Sequence, residues 1–456
     1  MKLKHRLPYR FKKIFVANRG EIALRIIRAC REMEILSVAA FSDADRNSLP
    51  VKMADEAANI GSALSRKSYL NIENILKAAH DSGADAIHPG YGFLSENPLF
   101  AKACKEASIK FIGPSPECLA AAGDKSAARE KLKLLGIPII PGSDGIIRSS
   151  DQAEQVSEEI GYPIIIKASG GGGGRGMRIV RGAHELPEAL KTASGEARAA
   201  FGNPDVYIEK YFEKPRHIEV QILRDYFGNQ IHLFERECSI QKRHQKLIEE
   251  SPSPCVDVAF REKICETALK IAESIRYTNA GTIEFLVDQE KKFYFMEVNA
   301  RIQVEHPVTE MVTGVDLVAE QIRIARGEAL GLKQADIRLD GWALECRINA
   351  ENPEDGFMPS PGTVRNLILP GGPGIRLDTH LFTGYDVPPY YDSLICKAIA
   401  WGKNRNEAIS RMKRALHEFK IEGIHMTIPF HQEILTNHNF LKGEIHTQFL
   451  KEWKGL

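Results

Sequence analysis

Five consecutive glycines, Gly170 to Gly174, stand between two runs that read as strands, Tyr162-Pro-Ile-Ile-Ile-Lys167 and Met177-Arg-Ile-Val180. A strand on each side makes the segment a hairpin with a glycine-rich loop. Gly171, Gly173 and Gly176 satisfy Gly-x-Gly-x-x-Gly literally, but the dinucleotide fingerprint needs a helix directly after the glycines, and here a strand follows. No Gly-Lys-Ser/Thr closes the run, so a Walker P-loop fails too. Bare glycines can present a row of backbone N–H groups to phosphate oxygens and close over a nucleotide. A flexible linker is the other reading. Lys167 inside the apolar strand and Arg175 in the loop favour an anion clamp. Lys125, in Gly123-Asp-Lys-Ser126, is a second candidate phosphate contact, weak when taken alone.

Around this hairpin the chain is long enough for several lobes. Its 456 residues are 43% hydrophobic and 27% charged, which supports a large core divided between two or three units. Sixty-one Lys and Arg against sixty Asp and Glu give a net charge of +1, so no basic stripe for nucleic acid is expected. No apolar run is long enough to cross a bilayer. The eight cysteines are scattered singly, without zinc spacing, and a reducing cytoplasm is the simplest fit. Met1 to Lys13 is basic, lacks the apolar core of a signal peptide, and reads as a frayed surface extension.

The first stretch alternates strand runs (Ile14 to Ala17, Leu36 to Phe41, Ala84 to His88, Lys110 to Gly113) with helical patterns from about Glu21, Tyr69 and Pro98. That is βαβ winding on a parallel sheet, with the loops Asn18-Arg19-Gly20 and Pro89-Gly-Tyr-Gly-Phe93 at the ligand-binding edge. The Pro/Gly-punctuated Gly136 to Gly142 opens a second lobe. Residues 332–339 open a third, with a strand from Ala343 to Ile348 and a final helix around Asn406 to Glu418.

Thr282 to Val287 and Phe293 to Asn299 read as a second hairpin around the polar 288–292. A turn centred between Glu290 and Lys291 pairs Glu284 with Glu297, and period two puts Asn299 on the face of Glu297. Opposed carboxylates on half-buried strands call for a neutraliser, and a hard divalent cation with Glu, Glu and Asn oxygens suits that task. A solvent-facing acidic edge is the alternative. Just after it, Arg301, Gln303 and Glu305 fall on one side if the segment is extended, an arrangement that suits a small planar oxyanion and its proton, or a structural salt bridge.

These motifs resemble the biotin carboxylase family of the ATP-grasp superfamily, over essentially the whole chain from Lys13. The stretches that carry the resemblance are Phe15 to Arg25, His88 to Glu96, Lys167 to Met177, Arg243-His-Gln-Lys246, Glu297 to Glu310, Glu345 to Ala350 and Pro388 to Ser393. The resemblance implies an α/β, ATP-grasp architecture: a Rossmann-like N-terminal domain (1–123), a central ATP-grasp domain (124–335) with a glycine-rich lid at about 140–212, and a C-terminal domain (336–456). It implies ATP contacts at Lys125, Lys167, Gly173, Gly174, Met177, Glu209, Lys210, Tyr211, Phe212, His217, Gln241, His244, Glu284, Leu286 and Glu297. It puts magnesium (or manganese) on Glu284 and Glu297 with Asn299 nearby, and bicarbonate on Lys246, Arg301, Gln303 and Val304. Glu305 would be the general base, and Arg347 would steady the biotin ureido enolate.

The implied activity is ATP- and bicarbonate-dependent carboxylation of biotin held on a separate carrier protein or domain, the first half-reaction of an acetyl-CoA, propionyl-CoA or pyruvate carboxylase. The implied partners are a second copy in a homodimer, with Arg25 and Asp392 at the interface, that carrier, and a carboxyltransferase subunit; no nucleic acid and no membrane are involved. Another ATP-grasp ligase passing through an acyl phosphate would use the same glycine hairpin and carboxylate pair, but leaves Arg301 to Glu305 and Arg347 without a task. A non-catalytic nucleotide-binding subunit would tolerate loss of Glu305 or Lys246, and both are present.

Overall fold

The computed structural model describes residues 9–123, 125–168 and 177–456, without the side chains of residues 125–128, 130, 200 and 201. Among these residues the first sheet has five parallel strands, in the order Glu56–Gly61, Leu36–Ser42, Lys13–Val16, Ala86–His88, Lys110–Phe111. Helix Gly20–Glu32 buries Ile22, Ala23, Leu24, Ile26 and Ile27. The strand Glu56–Gly61 and the short helix Leu49–Met53 are additions to the sequence reading. Glu56–Gly61 is an edge strand with only Ile60 buried, so it lacks the apolar run that marks its neighbours. Strand order reverses between Lys13–Val16 and Ala86–His88, and the loops after these strands meet there. Asn18 Nδ2 donates to the carbonyls of Pro89 (2.7 Å) and Tyr91 (2.8 Å).

The glycine-rich run joins two strands of a small antiparallel sheet, Met177–Val180, Ile164–Ala168, Val206–Lys210, in which Lys167 pairs with Met177. Ile164, Ile166, Val180 and Ile208 pack against the helices Ser150–Ile160 and Leu186–Phe201 in a core of their own.

The largest sheet has eight antiparallel strands, in the order Phe293–Asn299, Asn279–Val287, Arg216–Arg224, Gln230–Lys242, Gln245–Ser251, Trp342–Asn349, Leu394–Gly402, Ile375–Thr379. It runs unbroken across residue 336, so groups far apart in sequence share one face. Gly281 lies where this sheet crowds the fully buried Tyr277 ring, and a Cβ there would sit 2.2 Å from Tyr277 Oη and 2.3 Å from Cζ. Gly281→Ala is therefore expected to cost about 1–3 kcal/mol by overpacking, read as a lower urea midpoint at unchanged m-value.

Both chain ends correct the sequence reading. The extension is docked from Tyr9 onward: Phe11 is 4% exposed, and the Tyr9 N–H donates to the Arg326 carbonyl at 2.6 Å. Residues 1–8 lie outside the described residues. After helix Arg405–Glu418, which was expected to be the last, come Ile428–Ile434, His438–Lys442 and Phe449–Lys454. Each has two turns or fewer, too short for a helical period to stand out, yet together they bury Phe430, Phe440 and Phe449.

Candidate active site

Every expected site residue with a described side chain lines one cleft of about 1030 Å³. Lys167, Met177, Glu209, Lys210, Tyr211, Phe212, His217, Gln241, His244, Leu286 and Glu297 line one part of it. Glu284, Asn299, Arg301, Gln303, Val304, Glu305, Lys246 and Arg347 line the rest. Gly173, Gly174 and the Lys125 side chain lie outside the described residues.

The carboxylate hairpin pairs Glu284 with Glu297 and Thr282 with Asn299. The turn is not where symmetry put it. Phe285 pairs with Phe295 and Val287 with Phe293, so the turn is centred on Glu290, and an extra residue, Met296, shifts the register back by one. The bulge, not the turn, sets the two glutamates opposite each other.

Protein cations already meet Glu284, where the sequence pattern called only for a divalent ion. Lys246 Nζ lies 3.0 Å from Glu284 Oε1, 2.6 Å from Glu219 Oε2 and 2.6 Å from Glu305 Oε1, while His217 Nε2 is 3.0 Å from Glu284 Oε2. Burial opposes the charge on Lys246, but the three carboxylates raise its pKa well above the usual lysine value. In return, burial pushes each acid up and the cations win. Lys246 and His217 hold Glu284 well below the usual range, Arg236 and Lys246 take Glu219 to about 2, and Lys246, Arg347 and Arg236 hold Glu305 low. Glu305 is thus ionised at neutral pH.

The segment after the hairpin corrects a second expectation. Residues 301–305 are not an extended strand that aligns alternate side chains. Val304 and Glu305 form a turn, and Glu305 is the N-cap of helix His306–Thr313, with Pro307 in its first turn. Neighbouring lobes hold the segment instead. Glu96 accepts from Arg301 Nε at 2.9 Å and from the Ala300 N–H at 2.9 Å. Asn299 Oδ1 accepts from Arg301 Nη2 at 3.1 Å. The Gln303 amide is fixed between Arg236, which donates to its Oε1 at 2.6 Å, and Glu284 Oε1, which accepts from its Nε2 at 2.8 Å. Arg347 reaches in from Trp342–Asn349, its Nε 2.6 Å from Glu249 Oε1 and its Nη2 2.9 Å from Glu305 Oε2.

At the other part of the cleft Lys167 Nζ is 2.6 Å from Glu209 Oε2, and Arg129 also pairs with Glu209. Lys210 Nζ donates to the Gly161 and Tyr162 carbonyls at 3.0 Å each, which locks one edge of the small sheet. His217 Nδ1 lies 2.8 Å from Gln241 Nε2, and the rings of Phe212 and Tyr294 lie 4.8 Å apart, tilted by 30°. Arg243 and His244, both at positive φ, form the tight turn that aims Lys246 inward. Arg25, expected at a subunit interface, is engaged within the chain by Glu310 (2.9 Å) and Asp316 (2.7 Å), and Asp392 lines the cleft.

Glu219, Arg236 and Glu249 were missed in the sequence. One signal was available: His217, Glu219 and Gln221 alternate through an otherwise apolar strand, and all three are buried. Oxygen atoms of Glu284, Glu297 and Asn299, all lining the cleft at one end of the sheet, fit a hard cation. His217, Glu219 and Glu284 also bring ligand atoms within 4.8 Å of one another, but Lys246 already bridges both acids.

Comparison with known proteins identifies the family. Residues 10–119 match the family description "Biotin carboxylase, N-terminal domain", residues 124–333 "Carbamoyl-phosphate synthase L chain, ATP binding domain", and residues 345–452 "Biotin carboxylase C-terminal domain". The chain is 56% identical to biotin carboxylase 1 of Bacillus subtilis, over 97% of this chain and 98% of that protein. It is 54% identical to a pyruvate carboxylase subunit of Methanothermobacter thermautotrophicus, over 97% and 90%. Among solved structures, a biotin carboxylase complex from Campylobacter jejuni superposes with a TM-score of 0.93 at 48% identity, covering 97% of this chain and 99% of that one. The biotin carboxylase domain dimer of Hydrogenobacter thermophilus 2-oxoglutarate carboxylase, solved with MgADP, ADP and bicarbonate, gives 0.91 at 48% identity, with 98% of each chain covered. The chain belongs to the biotin carboxylase family, with its three-domain ATP-grasp architecture.

Proposed function

We propose that the chain uses ATP and bicarbonate to carboxylate biotin carried on a separate protein or domain, with carboxyphosphate as the intermediate. The observation that carries this reading is the placement of Glu305: an ionised carboxylate with Lys246 at 2.6 Å on one oxygen and Arg347 at 2.9 Å on the other. Glu305 takes the bicarbonate proton and so makes a poor nucleophile competent. Lys246, Arg301 and Gln303 orient the anion, and the Val304 backbone lies beside it. Lys167, Glu209 and the hairpin face hold the nucleotide so that its γ-phosphate meets the activated oxygen. Carboxyphosphate breaks down to CO2 and phosphate; the phosphate removes the biotin N–H proton, and Arg347 stabilises the resulting ureido oxyanion. Glu284, Glu297 and Asn299 would hold a magnesium or manganese ion, whose contribution is charge neutralisation on the nucleotide phosphates.

The same reading includes a carrier protein, a carboxyltransferase and a second copy of the chain, and is supported by relatives solved as a domain dimer or named as part of pyruvate carboxylase. A cytoplasmic location belongs to it as well, supported by eight free thiols. Among the described residues no helix is long and apolar enough to cross a membrane. We read the chain as three lobes, 1–123, 124–335 and 336–456, with residues 140–212 as the lid.

Phosphate release by the purified chain with MgATP is the test. Release is expected to require bicarbonate and to rise with high concentrations of free biotin. Release that ignored both and instead followed ammonia or an amino-acid acceptor would assign the cleft to a different acyl-phosphate ligase.

A further inference from the structure

Behind Arg347 lies a pair of acids to which the reaction above gives no role. Glu249 and Glu345 are register partners on adjacent antiparallel strands and are both 0% exposed. Glu249 Oε1 accepts from Arg347, but Glu249 Oε2 and both oxygens of Glu345 are buried with no hydrogen-bond partner among the described residues. Three orphaned carboxyl oxygens on facing residues are untenable if both acids are ionised, because each buried lone pair without a donor carries a desolvation cost. One proton relieves most of the conflict, by turning one oxygen into a donor for its neighbour: two of the three are then paired, and the third belongs to a neutral carboxyl group, which is less costly to bury than a carboxylate.

We propose that Glu345 is a positioning residue for the carboxylation of biotin: a neutral carboxylic acid whose O–H donates to Glu249 Oε2, keeping Glu249 a carboxylate that holds Arg347. The inference rests on the role read for Arg347. The charged groups facing the pair fit the assignment. Lys397, on the next strand, is directed elsewhere, with Nζ 3.0 Å from the Val304 carbonyl and 3.2 Å from Glu21. Arg347 is taken by Glu249 and Glu305, and burial holds His306, on the helix packed across this face, neutral. The other face of the strand carries Leu344 and Cys346 into an apolar cluster. Burial raises the Glu345 carboxyl well above the usual range, with Lys397 too weak to reverse it. Burial also lifts Glu249, which Arg347 pulls back, to about 7. Of the two, Glu345 is the one without a cation in contact, so the proton belongs there.

The difference infrared spectrum of the full chain, wild type minus Glu345→Gln at neutral pH, is expected to contain the carbonyl stretch of a protonated carboxylic acid that shifts in heavy water. Glu345→Ala is expected to lower kcat/KM for free biotin about tenfold, with a smaller change in bicarbonate-dependent phosphate release without biotin. Glu345→Gln, which keeps a neutral donor, restores most of that loss. If no Glu345 variant folds, the wild type minus Glu249→Gln spectrum decides, because removing the acceptor must shift the same band. Absence of the band, or equal defects in the Ala and Gln variants, overturns the proposal. A band that is present in a chain without any biotin-dependent turnover would leave the acid pair standing and reject the reading of Arg347 instead.

Discussion

Lys246→Gln is expected to lower biotin-dependent turnover by about 10²- to 10⁴-fold, and to move the acid limb of the kcat/KM profile to higher pH. The reason is the balance around Glu305. Its burial raises its pKa, and Lys246, 2.6 Å away, is the first of the cations that hold it down. Glutamine can still donate a hydrogen bond but carries no charge, so burial and Glu219 dominate and the base is protonated over part of the neutral range. Raising the pH then recovers part of the lost rate, an outcome that a merely distorted site would not give.

The same substitution reverses a stability slope. In the wild type the Glu305 pKa is lower in the folded chain than in the unfolded one, so its stabilisation is present above the unfolded value of about 4.3 and is lost as pH falls through the folded pKa. The Lys246 pKa is raised on folding, so its share is fully present below about 10.4 and is lost as pH rises through the folded pKa. Without Lys246, a Glu305 pKa raised on folding destabilises the chain increasingly as pH rises above about 4.3. Urea midpoints that fell no more steeply from about pH 5 to 8 in the variant than in the wild type would refute the charge-balance account.

What could be read from the sequence, and what could not, follows from the range of the determining contact. The glycine-rich hairpin and the pairing of Glu284 with Glu297 depend on residues a few positions apart, and strand periodicity reveals them. The bulge at Met296 leaves only a slip of phase, with Phe293 and Phe295 buried on one parity and Val298 on the other, too slight a signal to read within seven residues. Glu305 lines the cleft, but not through an extended segment: the turn at Val304 depends on Arg236, Glu96 and Lys397 gripping neighbouring atoms from other elements. The Glu249–Arg347 contact spans 98 residues and requires Gln245–Ser251 to lie beside Trp342–Asn349, a register that no local pattern encodes. The family resemblance supplied Arg347 without its partner.

Arg236→Met is expected to cost about 3–5 kcal/mol of folding stability, near the top of what one substitution can do. Arg236 is 0% exposed, and all five of its N–H donors are used. Nε donates to Glu219 Oε1 at 2.5 Å. Nη1 donates to Gln221 at 2.8 Å and Thr309 at 3.0 Å, and Nη2 to Thr282 at 3.1 Å and Gln303 at 2.6 Å. Methionine fills similar volume, so packing is largely retained and the loss is electrostatic. It strands Glu219, itself 0% exposed, with Lys246 as its remaining close cation. Lysine in its place keeps the charge but offers three donors from one point, so Gln303 is released and the Michaelis constant for bicarbonate rises even where the fold survives. The decisive measurement is a double-mutant cycle. Removing the stranded charge as well, in Arg236→Met with Glu219→Met, is expected to recover part of the stability lost in the single variant, because an apolar pair in place of a buried ion pair is close to neutral. A double variant as unstable as the sum of the two singles would mean that Arg236 acts through shape, and that the carboxylates around Lys246 do not depend on it for their charge.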